Sequence, residues 1–556
     1  MPKPAERSAT PQIAAVAPGE AEIRAQLARI LASPHFAAAE GARKLLSYLV
    51  VHTLAGETDQ IKEYTLAVEV FGRDASFDPK INPSVRVEAG RLRRRLEHYY
   101  LTQGTHDSVL IELPRGGYTP RFCANADVLH LAEDLAKAAA DRTNGSDEPD
   151  LTMPGGPTIC VMPFANLGGE ADAPFADGIS IEILTALARF RQFRVLGRGT
   201  VFGHRGEQDA KRLCSELGAD YVLGGSIRRE AQTVRVHAEL LSAADGKVVW
   251  AERYERELTA DAMFAVEDEI ATLVVATVAQ PFGVIARPEA AVARRKVPGR
   301  LHAYDCLMLF YDYTSHRSEE RHRELRDLIE AESKLSPDVA TLWAALAFLH
   351  TDTWRFGYNP APSREAARDR ALAAANRAVE LDPHDALGYH ARFQAHFAHG
   401  DIKAFKEAGN RALELNPNHT DILADYGLHL TMCNDWDRGR LLLKLALSLN
   451  PEPPDWYWFP FFVWHFERGE YDDALEMALR TQNQAFYWTH GMHALAYSAL
   501  GMRDEAAAAI GRLLECNPEF SRHAREELGL WMSADRLQHM LAALHEAGLP
   551  KARAAG

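Results

Sequence analysis

Residues 85–100 read VRVEAGRLRRRLEHYY, and residues 108–122 read SVLIELPRGGYTPRF. Wound as a helix, the first stretch puts Val85, Ala89, Leu92, Leu96 and Tyr99 on one face. That apolar seam must pack on other helices. Arg86, Arg93, Arg94 and Glu97 point away from it, and Arg91 and Arg95 flank it. Asn82-Pro83 stands just before, with proline near the first turn, where its missing N–H costs nothing. The second stretch breaks at Gly116-Gly117, so it predicts two short strands around a sharp turn with Arg115 at the tip.

An arginine face on a rigid helix suits a nucleic-acid duplex. Arginine presents a bidentate fork to guanine edges in the major groove. Other guanidiniums hold phosphates and set register. Arg86, Arg91, Arg93, Arg94 and Arg95 are the candidate contacts on the helix, and Arg115 is placed to enter the neighbouring minor groove. The competing reading is a solvated charged face, or a helix used for protein contacts, with Glu88 and Glu97 opposing phosphate.

Charge supports a local reading only. The chain of 556 residues carries a net −15. Residues 22–122 hold 14 Lys/Arg against 12 Asp/Glu, a net of +2, which leaves −17 for the rest. Polyanion binding is electrostatically easy in this part alone, and a protein coated in positive charge is excluded. Upstream, residues 21–55 carry two helical patterns, the second with Leu45, Leu46, Leu49 and Val50. A third helix fits Lys62–Phe71, stopped by Gly72.

Downstream, residues 123–155 turn polar (TNGSDEPD, then PGG) and predict a linker. The apolar run TICVMPFANLG predicts a buried strand, followed by a helix at 175–190, a strand at Phe193–Gly197 and a helix at Asp209–Leu217. YVLGGSIRRE, VRVHAELLSA and VVWAERYERE then read as strands, the last two joined by a turn at 244–247. This is an α/β pattern ending near residue 285. Gly224-Gly225-Ser226 sits on a strand rather than before a helix, so it signals close backbone packing and not a phosphate loop. Asp177 is read as a cap for a helix starting at 179. The window 270–286, broken by Gln280 and Pro281, is a buried helix, too short for the roughly 18 apolar residues a membrane span needs. RRKVPGR marks a second linker at 286–300.

The last half is helical and periodic. Prolines at 337, 383, 417, 451 and 518 follow similar words, with gaps of 46, 34, 34 and 67. Ala378, Ala412 and Ala446 each stand five residues before one of them, and Gly400, Gly469 and Gly501 mark turns. The insertion TWRFGYNPAPSR accounts for the gap of 46. A 34-residue helical period is the signature of tetratricopeptide repeats. The aromatic run WYWFPFFVWHF at 456–466 reads first as inter-helix core. Its functional reading is a partner groove, with Trp456, Trp458 and Trp464 as candidates.

Three family resemblances rest on these words. RKLLSYLVVHTLAG, VEVFGR, VRVEAGRLRRRL and IELPRGGYTPRF resemble the OmpR/PhoB-type winged helix, with Arg95 where lysine is usual and Gly116-Gly117-Tyr118 at the wing. VMPFANL, FADGISIEILTALARF, LGADYVLGGSIRR and GKVVWAERYERE resemble the TolB-like (FlgO-like) domain of bacterial signalling proteins. Residues 301–545 resemble tetratricopeptide repeats. The arrangement resembles bacterial one-component regulators, and also the non-catalytic half of adenylate-cyclase-associated proteins. No segment fits a cyclase catalytic domain.

The expectation is a multidomain chain. A disordered 1–20 precedes a winged-helix (α+β) domain at 21–122. A linker at 123–155 leads to a central α/β TolB-like domain at 156–285, and a linker at 286–300 to an all-α solenoid at 301–548. The function implied is a DNA-binding transcriptional regulator, with double-stranded DNA and a protein as partners, self-association left open and no membrane role. The alternative is a signalling scaffold without DNA contact. No catalytic constellation and no cofactor motif is found. His390, His396 and His399 are close in sequence, but a chain with 23 histidines makes such clusters by chance, and no metal is expected. Six scattered cysteines and an N-terminus without an apolar core predict a cytoplasmic protein.

Overall fold

The computed structural model describes residues 19–33, 36, 39–74, 84–102, 104, 107, 109–113, 118–124, 135, 153–201, 216–257, 263–281, 283–296, 301–360, 362–450, 453–530, 532 and 534–551. The chain divides into two compact units, 1–133 and 134–556.

In the first unit, α1 (Glu20–Ala32) and α2 (Glu40–Leu54) precede a helical turn, Glu63–Thr65, that widens over Leu66–Val70. Gly72, at φ +63°, ends it where the sequence predicts a stop. Helix α3 spans Ser84–Thr102, and β1 (Val109–Glu112) pairs antiparallel with β2 (Arg121–Ala124). The predicted seam is the core: Val85, Ala89 and Leu92 are fully buried, and Leu96 and Tyr99 nearly so. They meet Leu45, Leu46, Leu49 and Val50 of α2. Each such leucine contributes about 1.5–3 kcal/mol on leaving water.

In the second unit, β3 (Thr158–Val161) is paired in parallel with β5 (Arg194–Val195) and β6 (Tyr221–Glu230), and β4 (Ala165–Asn166) also pairs with β6. β6, β7 (Thr233–Ser242) and β8 (Val248–Glu257) form an antiparallel meander. Helices α4 (Ala173–Leu187) and α5 (Met263–Val278) share one apolar core with this sheet. Gly225 is glycine for a packing reason, since a β-carbon there would overlap the His237 carbonyl oxygen and the Phe164 ring. Helix α4 begins six residues earlier than the capping role of Asp177 requires. Pro174 in the first turn starts it, so Asp177 lies inside the helix. The helix expected at 209–217 falls mostly outside the described residues, as do the tip of the β1–β2 turn, most of 123–155 and residues 1–18.

The stretch expected to link at 286–300 instead carries helix α6 (Ala286–Ala293). Its alanines 286, 290 and 293 are buried, which small side chains on one face make easy. Seven helix pairs follow among the described residues: α7 (Ala303–Ser315) with α8 (Glu319–Leu335), α9 (Ala340–Phe356) with α10 (Arg364–Leu381), α11 (Ala386–Ala398) with α12 (Ile402–Leu415), α13 (Thr420–Met432) with α14 (Trp436–Leu449), α15 (Phe459–Glu467) with α16 (Tyr471–Leu479), α17 (Tyr487–Ala499) with α18 (Arg503–Cys516), and α19 (Phe520–Gly529) with α20 (Ala534–Glu546). Ala378, Ala412 and Ala446 are fully buried. Gly400, Gly469 and Gly501 take positive φ at the turns.

The sheet and the repeats belong to one compact unit because polar groups join them. The buried Gln280 side chain accepts from the Thr420 amide and hydroxyl, both at 3.0 Å. Phe190 stacks on His419, and Arg191 lies 3.7 Å from Asp382. Gln280, which interrupts the apolar window of the sequence, is thus the joint between the two parts. No helix among the described residues is long and apolar enough to cross a membrane.

Candidate nucleic-acid interface and a repeat-region cavity

The arginine face of α3 is fixed from behind by its seam and from its C-terminal end by Tyr100. The Tyr100 hydroxyl donates to the Val109 carbonyl (3.2 Å) and accepts from the Ile111 amide (2.8 Å). It thereby sets strand β1 against the helix. Burial pushes this phenol up, well clear of ionisation at neutral pH. Below it, Asp107 accepts from Tyr99 at 2.7 Å and from Gln26 at 2.5 Å.

The six sequence candidates are not equivalent. Arg86 pairs with Glu63 at 2.9 Å, and Arg91 with Glu88 at 2.6 Å. Both guanidiniums remain more than half exposed, at 54% and 59%. Arg93 is half-buried and donates to the Leu113 carbonyl at 3.0 Å, bracing the start of the turn region. Arg95 is half-buried. The Arg94 side chain and Arg115 lie outside the described residues. Glu63 also bonds the Tyr118 hydroxyl, so one carboxylate joins the helical turn, α3 and the residue after Gly117.

The three tryptophans of the aromatic run separate. Trp464 lies against Trp436 (5.1 Å) between Arg440 and Arg468, and Trp458 is buried under Arg480. Trp456 alone of the three lines a cavity of about 150 Å³ in the repeats. Sequence reasoning missed the polar groups of that cavity. Asp425 accepts from His390 (2.8 Å) and Gln394, and lies 3.3 Å from His429. Neighbouring imidazoles hold its carboxyl well below the usual range against the opposing effect of burial. Arg355 Nη2 stands 3.0 Å from His429 Nε2, and Arg317 pairs with Asp352 at 3.3 Å. Of the histidines weighed for a metal, His390 is tied to Asp425, and His399 faces the Arg368 carbonyl at 3.3 Å.

Residues 156–273 match the family described as HilA/YgeH-like transcriptional regulator, second domain. A protein of Rhizobium meliloti (strain 1021), provisionally named adenylate cyclase 3, is 30% identical over 258 residues. The match takes in 45% of this chain and spans 42% of that relative's length. Among solved structures, the Cut9–Hcn1 hetero-tetramer of the APC/C is 11% identical, covering 94% of this chain and 84% of that chain with a TM-score of 0.35. The LpoB C-terminal domain from Salmonella enterica is 15% identical, covering 22% of this chain and 95% of that chain with a TM-score of 0.17.

Proposed function

We propose that the protein is a transcriptional regulator that binds duplex DNA through a winged helix. In this reading the central TolB-like domain and the tetratricopeptide repeats receive the controlling signal or partner. The observation that carries it is the seam of α3, which aims an arginine-bearing face outward beside a two-stranded ladder that Tyr100 locks in place. The family match of the central region to transcriptional regulators supports the same reading.

The ion pairs of Arg86 and Arg91 are compatible with it. Exposed pairs contribute about 0–1 kcal/mol, so a phosphate displaces their carboxylates cheaply. Arg93 acts on the duplex from the wing base or holds that base in position. The same ion pairs favour a second reading, a scaffold that never meets DNA, because both carboxylates belong to the protein itself.

The two separate in one experiment. Full-length protein is titrated onto a pool of genomic duplexes as salt rises from about 50 to 200 mM. The regulator reading expects sequence-selective binding that weakens steeply with salt, and loss of selectivity when Arg93 and Arg94 are both changed to alanine. Binding equal on all sequences, or indifferent to R93A/R94A, supports the scaffold.

A further inference from the structure

The inner helices of the repeats converge on the cavity that Trp456 lines. Helices α7, α9, α11, α13, α15 and α17 all contribute, with Arg536 of α20. Three properties of its wall decide what it takes.

The first is size. About 150 Å³ matches a cavity that holds one benzene-sized ring, and lies below the roughly 300–1,000 Å³ of sites for larger ligands. The second is aromatic surface. Phe348, Trp456, Phe459, Phe486 and Trp488 line it, and Phe459 stacks on Phe486 at 5.8 Å. Such walls favour a flat ring set edge-to-face or offset.

The third is polarity. Among the side-chain atoms of lining residues that are buried without a hydrogen-bond partner are His390 Nδ1, His419 Nδ1, Trp456 Nε1 and Thr489 Oγ1. His390, His419 and Thr489 are all at least nine-tenths buried. Leaving a buried polar atom without a partner is costly, so a ligand that supplies one is favoured. His390 Nε2 must carry the proton that Asp425 accepts, and burial keeps the ring neutral, so its Nδ1 is an empty acceptor. The indole N–H of Trp456 is an unused donor. Residues that line the cavity therefore hold both kinds of unused partner just behind its surface, where a small side-chain rotation would bring them to a ligand's edge.

Its charges are already satisfied. Arg317 has Asp352, Arg536 has Glu467, and the buried Arg355 balances Asp425 across the His429 ring that lies between them. Asp421 accepts from the Tyr457 hydroxyl at 2.6 Å, and the Asp455 carboxylate accepts from the Asn483 amide at 2.6 Å. A charged ligand would enter without a counter-ion, which buried sites do not tolerate.

We propose that this cavity binds a small uncharged heteroaromatic or phenolic molecule of one ring, with a donor and an acceptor on its edge. Such a molecule is the effector the regulator reading lacks; the binding itself is measured without DNA, so either claim can fail alone.

The test uses the full-length chain with phenol, 2-pyridone and uracil as probes, and benzoate and benzylamine as charged comparators. Binding is followed by titration calorimetry and by thermal unfolding. At least one neutral probe binds saturably and raises Tm, and the charged pair does not. Trp456→Phe keeps the ring and removes the N–H, and Thr489→Val keeps the shape and removes the hydroxyl. Each is expected to weaken the bound probe by up to about tenfold. Should W456F fail to fold, T489V carries the comparison. The proposal is overturned if no neutral probe binds saturably, if the charged comparators bind as well, or if both variants bind as the parent does.

Discussion

The two compact units use arginine in opposite ways. On α3 the guanidiniums of Arg86 and Arg91 lie more than half in solvent, Arg91 beside Glu88 one turn back and Arg86 beside Glu63 on the preceding helical turn. In the repeats Arg355 is 5% exposed, and Arg317 lies against a carboxylate that is itself buried. Exposed pairs exchange partners at little cost. Buried pairs are expensive to break, because the orphaned charge has no water to turn to. The first arrangement is suited to meeting an external polyanion. The second fixes the geometry of helices that come from different repeats.

That contrast can be broken by substitution. Arg355→Ala should destabilise the second unit by about 3–5 kcal/mol in urea unfolding, since it strips a cation from beside His429 and Asp425. A loss no larger than that of a surface arginine would remove the distinction.

Acidity gives the next largest effect. Burial, with Glu182 and Asp268 nearby, pushes Glu267 from 4.5 up to about 7. Between those values the folded protein holds a proton that the unfolded chain releases. The contribution to stability is therefore full below about 4.5 and is lost as pH rises through about 7. Glu267→Gln should abolish that fall, so that its unfolding midpoints at pH 5 and pH 8, about the ends of this window, differ less than the parent's.

Smaller effects sharpen the picture on α3. Glu63→Gln releases Arg86 and should tighten duplex binding by a few-fold, about 1 kcal/mol or less. Unchanged or weaker binding would mean that Glu63 positions Arg86 rather than competing for it. Arg86→Ala should change unfolding free energy by about 0.5 kcal/mol or less.

Much of this was legible in the chain. The seam Val85–Tyr99 follows from helical spacing alone, and the repeats from the prolines at 34-residue intervals. The joint at Gln280 was visible only as an interruption, because its partner Thr420 is 140 residues away and no local pattern points to it. The cavity was hidden for the same reason. Asp352, His390 and Asp425 come from three helix pairs, and period counting says where helices lie, not which side chains face one another. One signal was available: HTDTWR follows ALAFL in α9, five of its six residues are buried, and polar residues closing a helix apolar all round announce a buried network. The expected linker at 286–300 was misread because a basic, proline-containing end masked the alanine face before it.

The central claim is that the outward face of α3 reads base edges. Methylation interference at guanine N7, on a duplex selected by the full-length protein, tests it most directly. The account predicts that methylating one or two guanines in a single major groove blocks binding by the parent, and that the R93A/R94A protein, still folded, has lost this sensitivity. Binding by the parent that is indifferent to guanine methylation, or interference that persists unchanged in R93A/R94A, would contradict it.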